Sequence, residues 1–572
     1  MFHSYAVRLK PHARSIALAI LLLAADVAVQ SVFPLLMGRM VSEGVWLGNR
    51  AAIRDIGALM LMLTVLSCGV GLWLCYLSIS IAQKTTNRLR KDVHHHALSL
   101  SLGQLEKMTN GELLTRAMGD SQVTMQFFSQ MLMMLFKPLL LVVAGIGLLI
   151  GIHPRFSVVF VTLVPVQALL LFLFTRWMSP VFKRMQTHVE GMNTAMQEAL
   201  DAIRTVKAYG GEETEARRFD KPSRSLWQDS MQIQRAIALL NPSMLLLMNL
   251  GTLLLLWLSS RLSFGGQLDA GQTMAALSYV QQVMMAILLM GQFFPTLSRV
   301  KVSAKRLEAF FAIRDDVPDG AAALSAEALE WSFTEVGFAY PGQNGFSLSG
   351  LNLTLPQGAF WAVVGPVGCG KSTFASLFPR FYDPTAGQIR LNGVPLADYS
   401  LQSLRQKVIL VVQESDFSSE TIADNIRYGF AATQEAVAAA ARVAQLDDTI
   451  SALPLGYETP MQENGLSFSG GQRQCLAIAR ALLRKPRVLI LDASTTSVDL
   501  LTEAKLYAAL REAHPGMTLL VIGQRIATLA GADQMMMMER GRVVGMGRHA
   551  DLLRTCEPYA AMCRSQCLEA EP

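Results

Sequence analysis

Phe360-Trp361-Ala362-Val363-Val364-Gly365-Pro366-Val367-Gly368-Cys369-Gly370-Lys371-Ser372-Thr373 decides the fold of the second half of the chain. Its first five residues form an unbroken apolar run, the pattern of a strand buried on both faces. The run leads directly into G-x-x-x-x-G-K-S/T. Gly365, Gly368 and Gly370 let backbone N–H groups wrap a chain of phosphates, Lys371 reaches the terminal phosphates, and Ser372, followed by Thr373, offers a hydroxyl to Mg²⁺. A helix starting there adds its positive N-terminal end. A phosphate loop at a strand-to-helix junction predicts a soluble α/β P-loop domain.

The first half has a different composition. Of 572 residues, 51% are hydrophobic and only 16% charged, too apolar for an ordinary soluble protein. The excess is concentrated before the P-loop domain, in six runs near the ~20 residues that span a bilayer as a helix. They lie at about Ser15–Met37, Ile56–Ile81, Met131–Ile152, Phe156–Trp177, Ile237–Leu258 and Met274–Leu297. The first is too long, and lacks the small-residue cleavage site, to be a cleavable signal peptide.

Basic residues set the expected topology. Lys84, Arg88, Arg90, Lys91, Lys107 and Arg116 fall between the second and third runs, and ten more run from Arg176, at the very end of the fourth run, to Arg235, before the fifth. The other connections carry only Arg39, Arg50, Arg54, Arg155 and Arg261. The two basic connections and both termini are therefore expected in the cytoplasm. These connections are rich in helix formers and should extend the membrane helices toward a soluble domain, turning near His96–Gln104 and Tyr209–Phe219, where Gly210-Gly211 breaks the helix pattern.

The net charge of +6 is explained by these connections, so no nucleic-acid partner is expected. The seven cysteines are odd in number and mostly scattered. Cys563 and Cys567 stand four apart without a second ligand pair, and His94-His95-His96 point around a helix rather than converging, so no metal site is expected at either place.

Two further stretches follow the P-loop: Phe468-Ser469-Gly470-Gly471-Gln472, then Val488-Leu489-Ile490-Leu491-Asp492-Ala493. Their order and separations, after six spans, resemble one half of an exporter-type (type IV) ABC transporter over nearly the whole chain. The resemblance implies a six-helix, all-α transmembrane domain with long cytoplasmic extensions over 1–310, a linker over 311–328 and an ABC nucleotide-binding domain over 329–572. It implies ATP and Mg²⁺ as cofactors and a bacterial inner or plasma membrane as the location.

Matched motif by motif, the resemblance also assigns roles. Tyr340 stacks on adenine. Gly365, Gly368, Gly370, Lys371, Ser372 and Thr373 hold the phosphates. Ser372, Gln413 and Asp492 hold Mg²⁺. Glu463 lies in the acidic loop before the signature, Ser469, Gly470, Gly471 and Gln472 form the signature that faces a second subunit's ATP, and Asp499 ends the loop that crosses between subunits.

Two positions depart from the family. The residue after the Mg²⁺-binding aspartate is a water-polarising glutamate in the family and Ala493 here. A switch histidine is replaced by Gln524. Loss of a general base typically costs about 10²–10⁴-fold in rate, so this site is expected to bind ATP and hydrolyse it slowly. An alanine is also what an experimenter would introduce to trap ATP, but the independent change at Gln524 argues for natural degeneration. Because ABC sites form between two P-loops and two signatures, a homodimer would hold two poor sites. The expected partner is a second ABC half-transporter whose own P-loop faces the intact signature of this chain.

The cargo is less defined: a small molecule, a lipid or a peptide. Asp26 and Lys137 are polar at membrane depth, where such groups are costly and often line a cavity, and they are the candidates for the substrate path. An importer on the same fold, for example for siderophores, and an ATP-driven regulator of another protein are the alternatives to export.

Overall fold

The apolar runs become helices because a backbone in hydrocarbon must satisfy its own hydrogen bonds. In the computed structural model, which describes residues 10–264, 267–325, 329–342, 345–462, 468–492 and 497–568, six helical stretches are long and apolar enough to cross a membrane. They are α1 (Lys10–Trp46), α2 (Arg50–Ser99), α3 (Gly111–Ile152), α4 (Pro154–Asp201), α5 (Glu212–Phe264) and α6, the last running over Ala270–Phe311. The chain divides into two units, 1–98 with 110–313, and 99–109 with 314–572.

In the first unit α4 packs along α5, and α6 packs against α3 and α1. The α1–α6 crossing is close because both helices present glycine: a Cβ on Gly271 would lie 2.0 Å from the carbonyl oxygen of Gly38. Small residues that let backbones approach are the usual means of helix association where lipid removes the hydrophobic drive. Tyr279 of α6, fully buried, donates its hydroxyl to the Ser31 carbonyl of α1. By contrast α2 leaves Leu61, Val65, Leu72 and Trp73 exposed, an apolar surface suited to lipid.

The helices continue well beyond the apolar runs. The stretch Lys301–Phe310, beyond the sixth apolar run, is the unbroken end of α6, since its Ala, Leu, Lys, Glu and Arg are strong helix formers. The first turn, between α2 and α3, is a short helix, Leu102–Leu105, after α2 ends at Ser99. The second is the short helix Ile203–Ala208, followed by Gly210 at φ +60°, a left-handed conformation that glycine adopts without steric cost.

The second unit holds two sheets. A four-stranded antiparallel sheet has the order β2 (Leu348–Leu355), β1 (Trp331–Phe338), β4 (Ala386–Leu391), β5 (Val394–Pro395). A six-stranded sheet has the order β10 (Arg542–Gly547), β9 (Gln534–Glu539), β3 (Phe360–Val364), β8 (Thr518–Ile522), β7 (Val488–Asp492), β6 (Val408–Val411). All its pairings are parallel except β9 with β10.

The unbroken apolar runs serve two cores at once. Phe360, Ala362, Val364, Leu489, Leu491, Leu519 and Val521 face one core. Trp361, Val363, Val488, Ile490, Leu520 and Ile522 face the other. The run Met535–Met538 of β9 alternates between them in the same way.

Also in this unit, the turn between α2 and α3 meets the chain that leads into β1. The Ser101 amide donates to Asp315 Oδ1 at 3.0 Å, Gln104 Nε2 donates to Asp316 Oδ2 at 2.9 Å, and the Tyr382 hydroxyl donates to Glu106 Oε1 at 2.6 Å. Burial and the Glu106 carboxylate push the Tyr382 hydroxyl well above its ordinary pKa.

Candidate nucleotide site

The row of neighbouring strands β3, β8, β7, β6 assembles this site. Each parallel strand ends on the same edge of the sheet, where open α/β sheets bind ligands. β3 delivers Gly365–Gly370, β8 ends at Ile522 just before Gln524, β7 ends at Asp492, and β6 ends at Val411 just before Gln413. Val411 pairs with Leu491, and Asp492 with Ile522, so Gln413, Asp492 and Gln524 lie at one level. Gln413 and Gln524 are exposed there.

Gly370 has φ +100°, and a Cβ on it would come within 2.8 Å of the Ser347 carbonyl oxygen. Only glycine fits this point, which brings the backbone into the first turn of α7 (Lys371–Leu377). Lys371, 9% exposed, donates from its ammonium to the carbonyls of Gly365 and Pro366 at 2.8 Å each. Ser372 Oγ donates to Asp492 Oδ1 at 3.0 Å.

Burial raises the Asp492 carboxyl above its ordinary pKa, against the opposing pull of the Ser372 hydrogen bond and the Lys371 charge. That Ser–Asp spacing matches two adjacent ligands of an octahedral Mg²⁺, which lie about 2.9 Å apart at the usual Mg–O distances. A buried carboxylate with its charge only partly offset is suited to a divalent cation. Tyr340 exchanges a hydrogen bond with Thr373 Oγ1 at 3.2 Å and meets the Phe338 and Tyr382 rings edge-on, centroids 4.9 and 5.4 Å away.

The signature is a helix start. Ser469 caps α8 (Gly470–Leu482) by a reciprocal box: its Oγ accepts from the Gln472 amide at 3.3 Å, and Gln472 Oε1 accepts from the Ser469 amide at 2.9 Å. A Cβ on Gly471 would meet the Ser497 carbonyl oxygen at 2.7 Å, and Gln474 Oε1 accepts from the Ser497 amide at 3.1 Å. Asp499 caps α9 (Leu500–Ala513), accepting from the Thr502 amide at 3.0 Å. Ala493 and Glu463 lie outside the described residues.

One feature of the site has no signature in the sequence. Gln566, on the C-terminal helix α10 (Glu557–Leu568), donates to the Gln524 carbonyl and accepts from the Ile526 amide at 2.9 Å, so that α10 clasps the backbone on either side of Arg525. Arg525 in turn donates to the Val498 carbonyl at 2.7 Å. A single glutamine on a terminal helix carries no motif that would announce this.

In the membrane unit, Asp26 and Lys137 come together. Lys137 Nζ lies 2.7 Å from Asp26 Oδ2, and Asp26 is 1% exposed. Gln30 Nε2 donates to both carboxylate oxygens at 3.1 Å, and Ser67 Oγ donates to Oδ1 at 2.8 Å.

The chain is similar to known proteins in sequence and in fold. The ABC transporter transmembrane region family matches residues 16–287, and the ABC transporter family matches residues 348–496. An uncharacterized ABC transporter ATP-binding protein of Bacillus subtilis is 30% identical over 98% of this chain and 97% of its own length. This chain belongs to the ABC transporters. An ATP-dependent lipid A-core flippase of Chromobacterium violaceum is 32% identical over 85% of this transporter and 84% of its own length. The structure of a bacterial Atm1-family ABC exporter with ATP bound superposes with a TM-score of 0.84 at 25% identity, covering 97% of this chain and 99% of that one. The transporter is thus an integral membrane protein of exporter fold, with its membrane domain fused to an ABC ATPase domain.

Proposed function

We propose that this chain is the ATP-binding, weakly hydrolysing half of a heterodimeric exporter. The observation that carries the reading is an asymmetry within one domain. The phosphate loop, the Ser372–Asp492 pair and the capped signature helix are complete, while Ala493 and Gln524 replace the groups that would activate water. Lys371 and the loop amides would hold the phosphates of ATP, Tyr340 would face adenine, and Ser372, Gln413 and Asp492 would hold Mg²⁺. The bound ion supplies charge neutralisation to the phosphates.

No side chain at position 493 can accept a proton from water. The competent site would pair the partner's P-loop with Ser469–Gln472 of this chain. The cargo proposed is an amphiphile moved outward, in keeping with the relatives named as lipid A-core flippase and exporter. Both cytoplasmic connections and both termini are assigned to the cytoplasmic side.

The test is a comparison within the assembled complex. The purified chain alone should bind ATP with Mg²⁺ and turn it over negligibly. Ser469→Arg should remove most ATPase activity of the complex by placing a bulky cation against the partner's γ-phosphate. Ala493→Glu alone should raise activity little, because Gln524 remains. Unchanged turnover in Ser469→Arg together with a large rise in Ala493→Glu would overturn the division of labour.

A further inference from the structure

We infer that the membrane unit carries, beside the Asp26–Lys137 pair, a binding pocket for an uncharged, hydroxyl-rich headgroup, that of a neutral glycolipid. This deepens the transport reading above by naming the class of cargo, and it rests on that reading only for the pocket's purpose. A cavity of about 500 Å³ lies among α1, α2, α3 and α6, lined by Asp26, Gln30, Phe33, Ser67, Lys137 and Gln282 among others. Its volume is in the range of small-molecule pockets. Asp26 and Ser67 stand near the middle of the first two apolar runs, roughly 16–21 Å of helix from either end, at the depth where an unmatched charge is most costly.

The chemistry of the ligand follows from which hydrogen-bonding capacity is already used. A carboxylate offers about four acceptor positions. Those of Asp26 are taken: Oδ1 by Gln30 and Ser67, Oδ2 by Gln30 and Lys137. A cation entering the cavity therefore finds no carboxylate lone pair left to meet it. An anion approaching Lys137 would convert a neutral pair into three charges with a net negative sum, and each buried ion costs several kcal/mol unless compensated.

Two capacities remain. An ammonium has three N–H donors, and Lys137, with 24% of its side chain exposed, has an ion pair to Asp26 alone among the described residues. Gln282 Oε1 is buried and, among the described residues, has no hydrogen-bond partner. The ligand must accept from Lys137 and donate to Gln282 without bringing charge. A hydroxyl does both, and a sugar presents several around an apolar ring face that Phe33 can cover. The exposed apolar side of α2, with Leu61, Val65 and Leu72, offers a surface for the acyl chains of a lipid that seats its headgroup here.

The experiment is native mass spectrometry of the full-length chain in a polyoxyethylene detergent, which carries no sugar. The probes are monoglucosyl diacylglycerol, phosphatidylglycerol and phosphatidylethanolamine with identical acyl chains, and free glucose. The glucosyl lipid should be retained about tenfold more strongly than either phospholipid, and Gln282→Leu should remove about that factor, the size of one or two hydrogen bonds. Gln282 gives up no internal hydrogen bond through Oε1, so a purely structural role predicts unchanged lipid selectivity in this variant.

Equal retention of the three lipids, or selectivity that survives both Gln282→Leu and the double variant Asp26→Asn/Lys137→Met, would overturn the pocket. A preference for phosphatidylglycerol would overturn its neutrality and make Lys137 an anion reader. Free glucose bound as well as the lipid would overturn the lipid source. ATP-driven lipid movement by the assembled transporter is measured separately. Retention without movement would sink the transport reading and leave the pocket standing, and movement of an anionic lipid without glycolipid retention would do the reverse.

Discussion

Asp492 and Asp26 are both buried, each beside a serine hydroxyl, and each has a lysine among its charged neighbours. In the ATPase domain the lysine is engaged elsewhere: Lys371 gives its protons to the Gly365 and Pro366 carbonyls, and burial outweighs its pull on Asp492. The carboxylate is left under-compensated in a site of fitting geometry, the condition for recruiting a cation. In the membrane unit Lys137 contacts Asp26 directly, and Gln30 and Ser67 fill the remaining positions. That carboxylate is complete without a ligand. The same three residue types thus make a cation site in one unit and a filled carboxylate in the other, and the lysine's first partner decides which.

The comparison predicts its largest effect at Lys137. Lys137→Met would leave the Asp26 charge buried without its cation, and breaking a buried pair by removing one partner costs about 3–5 kcal/mol. Unfolding of the full chain in micelles should show a loss of that order, and Asp26→Asn on the Lys137→Met background should recover most of it. A Lys137→Met chain as stable as its parent would mean that Asp26 needs no cation, and the contrast between the two aspartates would break.

Lys371→Ala should show the opposite signature. Its ammonium is held by two backbone carbonyls rather than by Asp492, so folding should change little. Nucleotide binding should weaken by about 10–100-fold, the worth of charge-assisted hydrogen bonds, read by equilibrium binding of an ATP analogue with Mg²⁺. The assembled complex should keep part of its turnover, because the productive site uses the partner's lysine. Complete loss would make nucleotide at this site obligatory for closure.

What the sequence revealed followed the strength of local rules. Phe360–Val364 and Val488–Asp492 read as buried strands because both faces are apolar, and Gly365–Ser372 read as a phosphate loop because glycines at those spacings leave few alternatives. Six spans were legible from length and composition alone. Strand order was not: nothing near Gln413 or Gln524 says that β6 and β8 flank β7. Asp26 and Lys137 stood out individually as costly, but their pairing spans more than a hundred residues and two helices. The roles of Gln30, Ser67 and Gln282 follow only from that packing. Gln566 was silent, because a clasp between side-chain amide and backbone has no residue pattern.

The smallest effect sharpens the comparison from the Asp492 side. Because burial raises this carboxyl in the folded chain, the folded state favours the protonated form more than the unfolded state does. The associated stability is present in full below the ordinary carboxylate range, near pH 3.9, and is lost as pH rises through the raised folded value. Asparagine imitates the neutral form at every pH. Asp492→Asn should therefore raise the Tm of the nucleotide-free chain slightly at pH 7–8, and the gain should shrink steadily as pH is lowered toward 4. Mg²⁺ with ATP should reverse the order, since the native carboxylate gains a cation and the amide does not. The parent should show the larger nucleotide-induced rise in Tm. If Asp492→Asn lowers Tm without nucleotide at pH 7–8, Asp492 is as fully compensated as Asp26, and the distinction between a cation site and a filled carboxylate is lost.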